Sequence, residues 1–143
     1  MLSLAEKERY EKHLLLPQVG TEGQEKLKNA RVLVVGAGGL GCPVLLYLAA
    51  AGVGKLGVID PDSVELSNLQ RQVLYRTDEV GQPKALMAVT HLKKLNGDIE
   101  FAFYHQALRR ENATSLVQDY DVVVDCTDNF TVRYLINDVC VSL

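Results

Sequence analysis

The stretch Arg-Val-Leu-Val-Val-Gly-Ala-Gly-Gly-Leu-Gly, residues 31–41, constrains the fold more than any other part of the chain. Its first five residues are apolar and rich in valine, which predicts a short buried strand. A glycine turn follows, and residues 40–51 predict a helix. Gly36, Gly38 and Gly41 have the spacing that permits a tight turn, a close approach of phosphate to the backbone, and close packing of helix on strand. Because the free N–H groups of the helix start then face an anion, the segment predicts a nucleotide site. The alternative is a glycine turn without a ligand.

Composition and charge limit the other classes of function. The chain has 143 residues, 48% of them hydrophobic, and a net charge of −3, so it predicts one domain with a sizeable core and gives no indication of nucleic-acid or anionic-membrane binding. It has no apolar run near the ~18 residues of a membrane span, and its N-terminus has no apolar signal core. Three cysteines in apolar sequence, without a C-x-x-C pair, favour reduced thiols in a cytoplasmic protein and give no zinc site: Cys42, Cys126 and Cys140.

Strand and helix patterns alternate through the rest of the chain. Strands are predicted at residues 55–60, 99–105 and 121–126, and helices open at Pro83, span residues 109–118, and follow residue 129. Such alternation predicts an α/β fold: a Rossmann-like, doubly wound, mainly parallel sheet of order 3-2-1-4 with right-handed crossovers.

Two helices are predicted before the first strand. One begins with a capping box from Ser3 to Glu6 and runs to about His13, and the other is capped by Thr21 and Gln24 and runs to Asn29. Residues 1–30 are therefore predicted as an N-terminal helical extension, and residues 31–143 as the nucleotide-binding domain.

Polar residues at the carboxyl ends of the strands supply candidates for the site. Asp60 lies where an acid can accept hydrogen bonds from ribose hydroxyls, or it caps the Asp-Pro-Asp turn. The long polar connection of residues 61–82 is of a length that is usually functional. Lys84 occupies the first turn of a helix, where the dipole disfavours a cation, so either an anion lies nearby or the lysine is solvated. Asp128 either binds Mg²⁺ through one carboxylate or caps the last helix.

These side chains bear on which nucleotide is bound. A glycine fingerprint followed by an acid is most often typical of NAD or FAD, whose pyrophosphate is held mainly by backbone. A triphosphate carries more charge and needs cations and usually a metal. Arg71, Lys84 and Asp128 supply that chemistry and favour ATP.

Several longer motifs resemble the ThiF/MoeB/HesA family, the prokaryotic relatives of ubiquitin-activating enzymes. They keep the order of the family and span nearly the whole chain: Gly-Ala-Gly-Gly-Leu-Gly-Cys-Pro, Leu-Ala-Ala-Ala-Gly-Val-Gly, Leu-Ser-Asn-Leu-Gln-Arg-Gln, Gly-Gln-Pro-Lys and Asp-Cys-Thr-Asp-Asn. The resemblance implies ATP-dependent adenylation of the C-terminal carboxylate of a small ubiquitin-like sulfur carrier that ends in Gly-Gly, with Mg²⁺ as cofactor.

The resemblance also implies roles for individual residues. The loop with Gly36, Gly38, Gly39 and Gly41 would hold the nucleotide together with Asp60. By the same pattern the phosphates would be contacted by Asn68, Arg71 and Lys84, and the magnesium ion by Asp128.

The N-terminal region departs from the family pattern at two positions, with Lys12 in place of an arginine and His13 in place of a glutamine. The family usually begins R-Y-x-R-Q, and its second arginine reaches the phosphates of the other subunit in a dimer. Here Lys12 keeps that charge without the planar fork, which implies a homodimer with Lys12 acting across it. We expect His13, His91 and His105 to be surface histidines.

Family members continue with more strands and with paired C-x-x-C zinc ligands, so zinc is expected only in a longer member. We therefore expect the chain to be an N-terminal portion with an incomplete sheet, in which buried valines 122–124 lie on an open edge and which does not complete catalysis alone. Two alternatives to an adenylating enzyme stay open: the NAD-binding domain of an oxidoreductase, and a non-catalytic relative that binds a partner.

Overall fold

The computed structural model describes all residues from Met1 to Leu143. Four parallel strands form one sheet in the order β3-β2-β1-β4: β1 (Arg31–Val35), β2 (Lys55–Ile59), β3 (Glu100–Tyr104) and β4 (Val122–Asp125). The predicted fold class and strand order are thus confirmed. Val35 pairs with Ile59 on one side and with Asp125 on the other, so these three strands end level with one another.

Seven helices accompany the sheet: α1 (Leu4–Arg9), α2 (Glu11–Leu14), α3 (Gly20–Asn29), α4 (Gly41–Ala51), α5 (Lys84–Leu95), α6 (Arg110–Val117) and α7 (Phe130–Ser142). The bounds of β1 are as predicted, and the other predicted strands and the helices after β1 differ from the observed ones by about one residue at an end. The long connection between β2 and α5 contains two short 3-10 turns, at Leu66–Asn68 and Thr77–Glu79.

Alternating side chains of β1 build the two halves of the core. Val32 and Val34 join a cluster of 17 buried residues that includes the inner faces of α4 and α5. Leu33 and Val35 join a cluster of nine buried residues together with α6 and α7. Because successive strand side chains point to opposite faces, the sheet is buried between two helical layers.

The N-terminal region differs from the prediction in two respects. The first predicted helix is broken at Tyr10 into α1 and α2, because the buried Tyr10 ring packs beside Gly52 and its hydroxyl accepts a hydrogen bond from Asn96 Nδ2 at 2.8 Å. The capping box of Ser3 and Glu6 is confirmed. The predicted cap by Thr21 and Gln24 is wrong: α3 begins at Gly20 without a side-chain cap.

Several burial predictions also need correction. Val122 is exposed and the other two valines of β4 are only partly buried, because β4 lies at an edge of the sheet. Cys140 is exposed, whereas Cys42 is buried and Cys126 is intermediate; all three are free thiols. His91 is not a surface residue, since its ring is largely buried and pairs with Glu79. No helix is long and apolar enough to cross a membrane.

Candidate functional site

A cavity of about 870 Å³ opens at the carboxyl ends of the strands. It lies between the glycine loop, the start of the β2–α5 connection, the start of α5, and the loops that follow β3 and β4. Eight of the predicted site residues line it: Gly36, Gly38, Gly39, Asp60, Asn68, Arg71, Lys84 and Asp128. The topology therefore brings together residues that are up to 92 positions apart in sequence, as Gly36 and Asp128 are.

The glycines of the loop serve two different purposes. A Cβ on Gly41 would lie 1.9 Å from the carbonyl oxygen of Gly36, so this glycine is required by the packing of α4 on the loop. Gly36 has φ +95° and would place a Cβ 2.7 Å from the Cys126 carbonyl oxygen. A Cβ on Gly38 would meet nothing closer than Gln72 Nε2 at 3.5 Å. Gly38 is therefore not needed for folding, and its missing side chain leaves the backbone open to the cavity.

The first turn of α4 has no side-chain cap. Its N-cap residue is Leu40, which makes no capping hydrogen bond. In this turn the Cys42 N–H donates to the Gly38 carbonyl at 2.9 Å and Pro43 has no N–H, so the donors without a partner are the N–H groups of Leu40 and Gly41. Free N–H groups at a helix start favour an anion. This end of α4, next to the open backbone of Gly38, gives the cavity a wall that is suited to an anion.

Asp60 is buried and already holds the loop together. Its Oδ2 accepts a hydrogen bond from the Ala37 N–H at 2.8 Å, and its Oδ1 accepts one from the Asp62 N–H at 2.7 Å. The turn-capping alternative is therefore observed. A carboxylate oxygen can accept more than one hydrogen bond, so these two contacts leave room for a ribose hydroxyl. The contact of Asp60 with ribose stays a prediction.

Lys84 is a buried cation without a close partner. Its side chain is 7% exposed, and the nearest carboxylate oxygen, Oδ2 of Asp62, lies 4.0 Å from Nζ, beyond hydrogen-bond distance. The alternative of a solvated lysine is wrong. A buried ammonium group needs compensating partners, and Lys84, which has three N–H donors, lines a cavity whose wall is suited to an anion.

Arg71 and Asn68 lie on the connection that covers the loop. Arg71 is exposed, its Nη1 donates to the Ser67 carbonyl at 3.3 Å, and its side chain passes 3.6 Å from where a Cβ on Gly39 would lie. Asn68 Oδ1 accepts a hydrogen bond from the Glu65 N–H at 3.3 Å, which leaves its amide N–H groups available.

Two adjacent polar residues in the loop after β4, Asp128 and Asn129, have different contacts. Asn129 caps α7, since its Oδ1 accepts from the Val132 N–H at 3.2 Å. Asp128 makes no hydrogen bond or ion pair and is exposed to the cavity. The alternative in which Asp128 caps the helix is therefore wrong.

A network behind Asp128 fixes the shape of this loop. Asp125 Oδ1 accepts from the backbone N–H and the hydroxyl of Thr127, at 2.9 and 2.7 Å. Arg133 Nη2 donates to the Thr127 carbonyl at 2.7 Å, and Arg133 Nε lies 3.6 Å from Asp125 Oδ2. These contacts fix the conformation of the loop that carries the Asp128 carboxylate.

The donor set around Asp128 fits a magnesium ion shared with a substrate. The structure contains no group of three or more His, Cys, Asp or Glu side chains that could hold a metal ion by themselves. Mg²⁺ is usually bound through one or two carboxylates, with waters and substrate phosphates as the remaining ligands. The single uncommitted carboxylate of Asp128 matches that requirement.

Lys12 does not reach the cavity of its own chain. It is 85% exposed and pairs with the adjacent Glu11 at 2.9 Å. The neighbouring Tyr10 packs against Gly52 and Asn96, which follow the C-terminal ends of α4 and α5. The cavity is at the opposite, N-terminal ends of those helices.

Several cavity residues were not assigned a role from sequence. Gln72 is buried in the wall, and its Oε1 has no hydrogen-bond partner. Apolar side chains cover another part of the wall: Val35, Ile59, Leu108 and Val132. Burial raises the pKa of the Cys42 and Cys126 thiols, so neither is a ready nucleophile. Of these residues, only Gln72 could have been identified from the sequence, because it lies in the polar segment that follows β2.

Comparisons with known proteins identify the family that this chain is similar to. A model of the ThiF family matches residues 10–143. A sulfur carrier protein adenylyltransferase of Thermus thermophilus is 56% identical over 138 residues, which are 96% of this chain and 51% of that protein. The adenylyltransferase and sulfurtransferase UBA4 of Candida albicans is 54% identical over 142 residues, covering 99% of this chain and 32% of that protein.

A solved structure with ATP is also similar. The crystal structure of E. coli MccB with ATP superposes with a TM-score of 0.82 and 34% identity, covering 94% of this chain and 41% of that one. The chain thus spans about half the length of the Thermus relative, and less of the other two.

Proposed function

This chain belongs to the ThiF family, and from that premise we propose that it binds ATP in the cavity and adenylates the C-terminal Gly-Gly carboxylate of a ubiquitin-like sulfur carrier. The similarity to a sulfur carrier protein adenylyltransferase supports the substrate class. The similarity to a structure that contains ATP supports the nucleotide.

The buried ammonium group of Lys84 is the observation that carries the proposal. It lies in the cavity wall with one carboxylate 4.0 Å away and no hydrogen-bond partner. Arg71 adds a second cation on the same wall, and the start of α4 adds free N–H groups. This concentration of positive charge suits a triphosphate better than a pyrophosphate that is held mainly by backbone.

The proposed adenylation requires neutralisation of the negative charge on the phosphates more than it requires a general base. A C-terminal carboxyl group has a pKa of about 3.3–3.7 and is already ionised near neutral pH. One of its oxygens bonds to the α-phosphorus, the bond from that phosphorus to the bridging oxygen breaks, and pyrophosphate leaves with the electron pair. We assign Arg71, Lys84 and the amide of Asn68 to stabilise the negative charge that develops on the phosphates.

Magnesium and the nucleoside have separate places in this proposal. Asp128 would hold Mg²⁺, which supplies further charge neutralisation on the phosphates when it is bound. Leu108 and Val132 offer the apolar surface on which a purine ring would pack, and Asp60 lies where a ribose hydroxyl would be held.

The proposal has two competitors from other classes. An NAD-binding domain of an oxidoreductase would not need the buried Lys84 or the free carboxylate of Asp128. A non-catalytic relative would keep the cavity and the partner but form no adenylate. The adenylyltransferase names of the two relatives favour catalysis.

We also propose that the protein acts as a homodimer in which Lys12 serves the nucleotide of the other subunit. The support is that Lys12 is exposed and lies at the ends of α4 and α5 remote from its own cavity. In this proposal the charge of Lys12 therefore reaches the nucleotide that is bound by a second copy of the chain.

Carrier-dependent exchange of labelled pyrophosphate into ATP tests the function directly. With a panel of ubiquitin-like carriers that end in Gly-Gly, we expect exchange with at least one intact carrier and none with the same carrier lacking its last glycine. Lys12→Ala should lower the exchange rate, with the fold and the sedimentation of a dimer unchanged. ATP binding without exchange for any carrier would favour the non-catalytic alternative, and a monomer in sedimentation would contradict the role of Lys12.

A further inference from the structure

Gln72 is a buried polar residue whose side chain has no partner in the protein. It is 3% exposed and lines the cavity. Its Oε1 is fully buried and receives no hydrogen bond. Most buried side-chain polar atoms are hydrogen-bonded, so the unpaired Oε1 costs stability and shows that no protein group holds this end of the carboxamide.

The backbone around Gln72 is fixed, so the side chain is held beside the glycine loop. The Gln72 N–H donates to the Asn68 carbonyl at 2.9 Å, and the Gln72 carbonyl accepts from the Tyr75 N–H at 3.3 Å. Tyr75 in turn donates its hydroxyl to the Ala37 carbonyl at 2.6 Å. Gln72 Nε2 then lies 3.5 Å from where a Cβ on Gly38 would be. The amide donor therefore stands next to the part of the loop that is open to the cavity.

We propose that Gln72 is a nucleotide-binding residue, whose side-chain N–H donates to a phosphate oxygen at the glycine loop. The inference rests on the proposed function, because it takes the ligand of the cavity to be a nucleoside triphosphate. The terminal torsion of a glutamine is soft, so the carboxamide turns to the ligand at low cost. Gln72 thus adds a neutral, directional donor to the charges of Arg71 and Lys84.

Gln72→Met separates this role from a structural one, because the two roles predict opposite changes in stability. Methionine keeps a similar length and volume and removes the unpaired acceptor, and replacing buried polar atoms by apolar ones of similar shape is neutral or stabilising. We expect a Tm equal to that of the wild type or up to about 4 °C higher. We expect the Kd for ATP with Mg²⁺ to rise roughly 10- to 100-fold, as for a lost hydrogen bond to a charged group.

The experiment is calorimetric titration and thermal unfolding of the purified protein. Gln82→Met is the matched control, since Gln82 is exposed, belongs to the same connection and does not line the cavity. Gln72→Leu serves as a second apolar variant, which should weaken ATP binding in the same way.

Each outcome decides between the two roles. A lower Tm for both apolar variants, or their failure to fold, overturns the proposal in favour of a structural role. ATP affinity equal to that of the wild type in Gln72→Met also overturns it, while ATP binding by the wild type leaves the proposed function standing. No ATP binding by the wild type or by Gln82→Met would instead refute the proposed function, and this inference with it.

Discussion

Asp128 and Asn129 show how the site divides work between adjacent residues. Asn129 accepts the hydrogen bond that caps α7, and Asp128 is left with a free carboxylate at the cavity. Aspartate and asparagine are almost equally good N-caps, so nothing in the two residue types decides which of them caps the helix. The position of the helix start decides it, and this makes the proposed metal role of Asp128 separable from stability.

Asp128→Asn should therefore lose metal-dependent binding without loss of stability. We expect ATP affinity to become nearly independent of Mg²⁺, and the Tm to stay close to that of the wild type, since an exposed side chain without contacts is replaced. The measurements are ATP titrations with Mg²⁺ and with a chelator, and thermal unfolding.

Asn129→Ala is the matched control for Asp128→Asn. It should lower the free energy of unfolding by about 1 kcal/mol through loss of the cap. The Mg²⁺ dependence of ATP binding should persist in it. Normal magnesium dependence in Asp128→Asn would show that the magnesium ion is held by other residues.

At the scale of single residues, an unusual residue type can be recognised in the sequence, whereas the burial of a side chain cannot. Lys84 stands out in the sequence because a cation in a first helical turn opposes the dipole, and it is one of the eight predicted residues that line the cavity. The burial of Gln72, Gln24 and His91 is not visible in the sequence, because it depends on how segments far apart in the chain pack together.

The glycine loop is the element on which the site depends, and its glycines should respond differently to substitution. Gly41→Ala would place a methyl group 1.9 Å from the Gly36 carbonyl oxygen, so it should destabilise the protein severely. Gly38→Ala meets only Gln72 Nε2 at 3.5 Å, an ordinary contact, so the fold should keep its stability.

For Gly38→Ala we expect at least tenfold weaker ATP binding with an unchanged or slightly higher Tm. The reason is that the new methyl group stands where a phosphate would approach the backbone. Thermal unfolding and ATP titration of both variants check this. If Gly38→Ala bound ATP as tightly as the wild type does, the phosphates would have to lie elsewhere in the cavity.

Elements with a strong local pattern were predictable, and those shaped by tertiary contacts were not. The apolar run of β1 and the glycines after it specify strand, turn and helix locally, and β1 and α4 appear within one residue of the prediction. The helix expected to continue to His13 is broken because Tyr10 reaches Gly52 and Asn96, contacts that lie more than 40 residues away in sequence.

The whole molecule converts a sequential pattern into a site through its strand order. In the order β3-β2-β1-β4 the loops after β1, β2 and β4 meet at one edge, which gathers the glycine loop, Asp60 and Asp128 around one cavity. This topology follows from the alternation of strands and helices and from the right-handed crossover rule. It could be predicted, whereas the partial exposure of the β4 valines could not, since it depends on what lies beside that strand.

The central claim is that the cavity holds a triphosphate and that the buried cation of Lys84 in its wall is the main charge that does so. Calorimetric titration of the wild type, Lys84→Met and Lys93→Met with ATP and Mg²⁺, and with NAD, tests it most directly. Lys93 is the matched control because it is exposed in the last turn of the same helix.

We predict tighter binding of ATP than of NAD by the wild type. Lys84→Met should lose at least tenfold in ATP affinity at an undiminished Tm, since it removes a buried ammonium group with no close partner. Lys93→Met should bind as the wild type does. Tighter NAD binding by the wild type, or ATP affinity unchanged by Lys84→Met, would contradict the account.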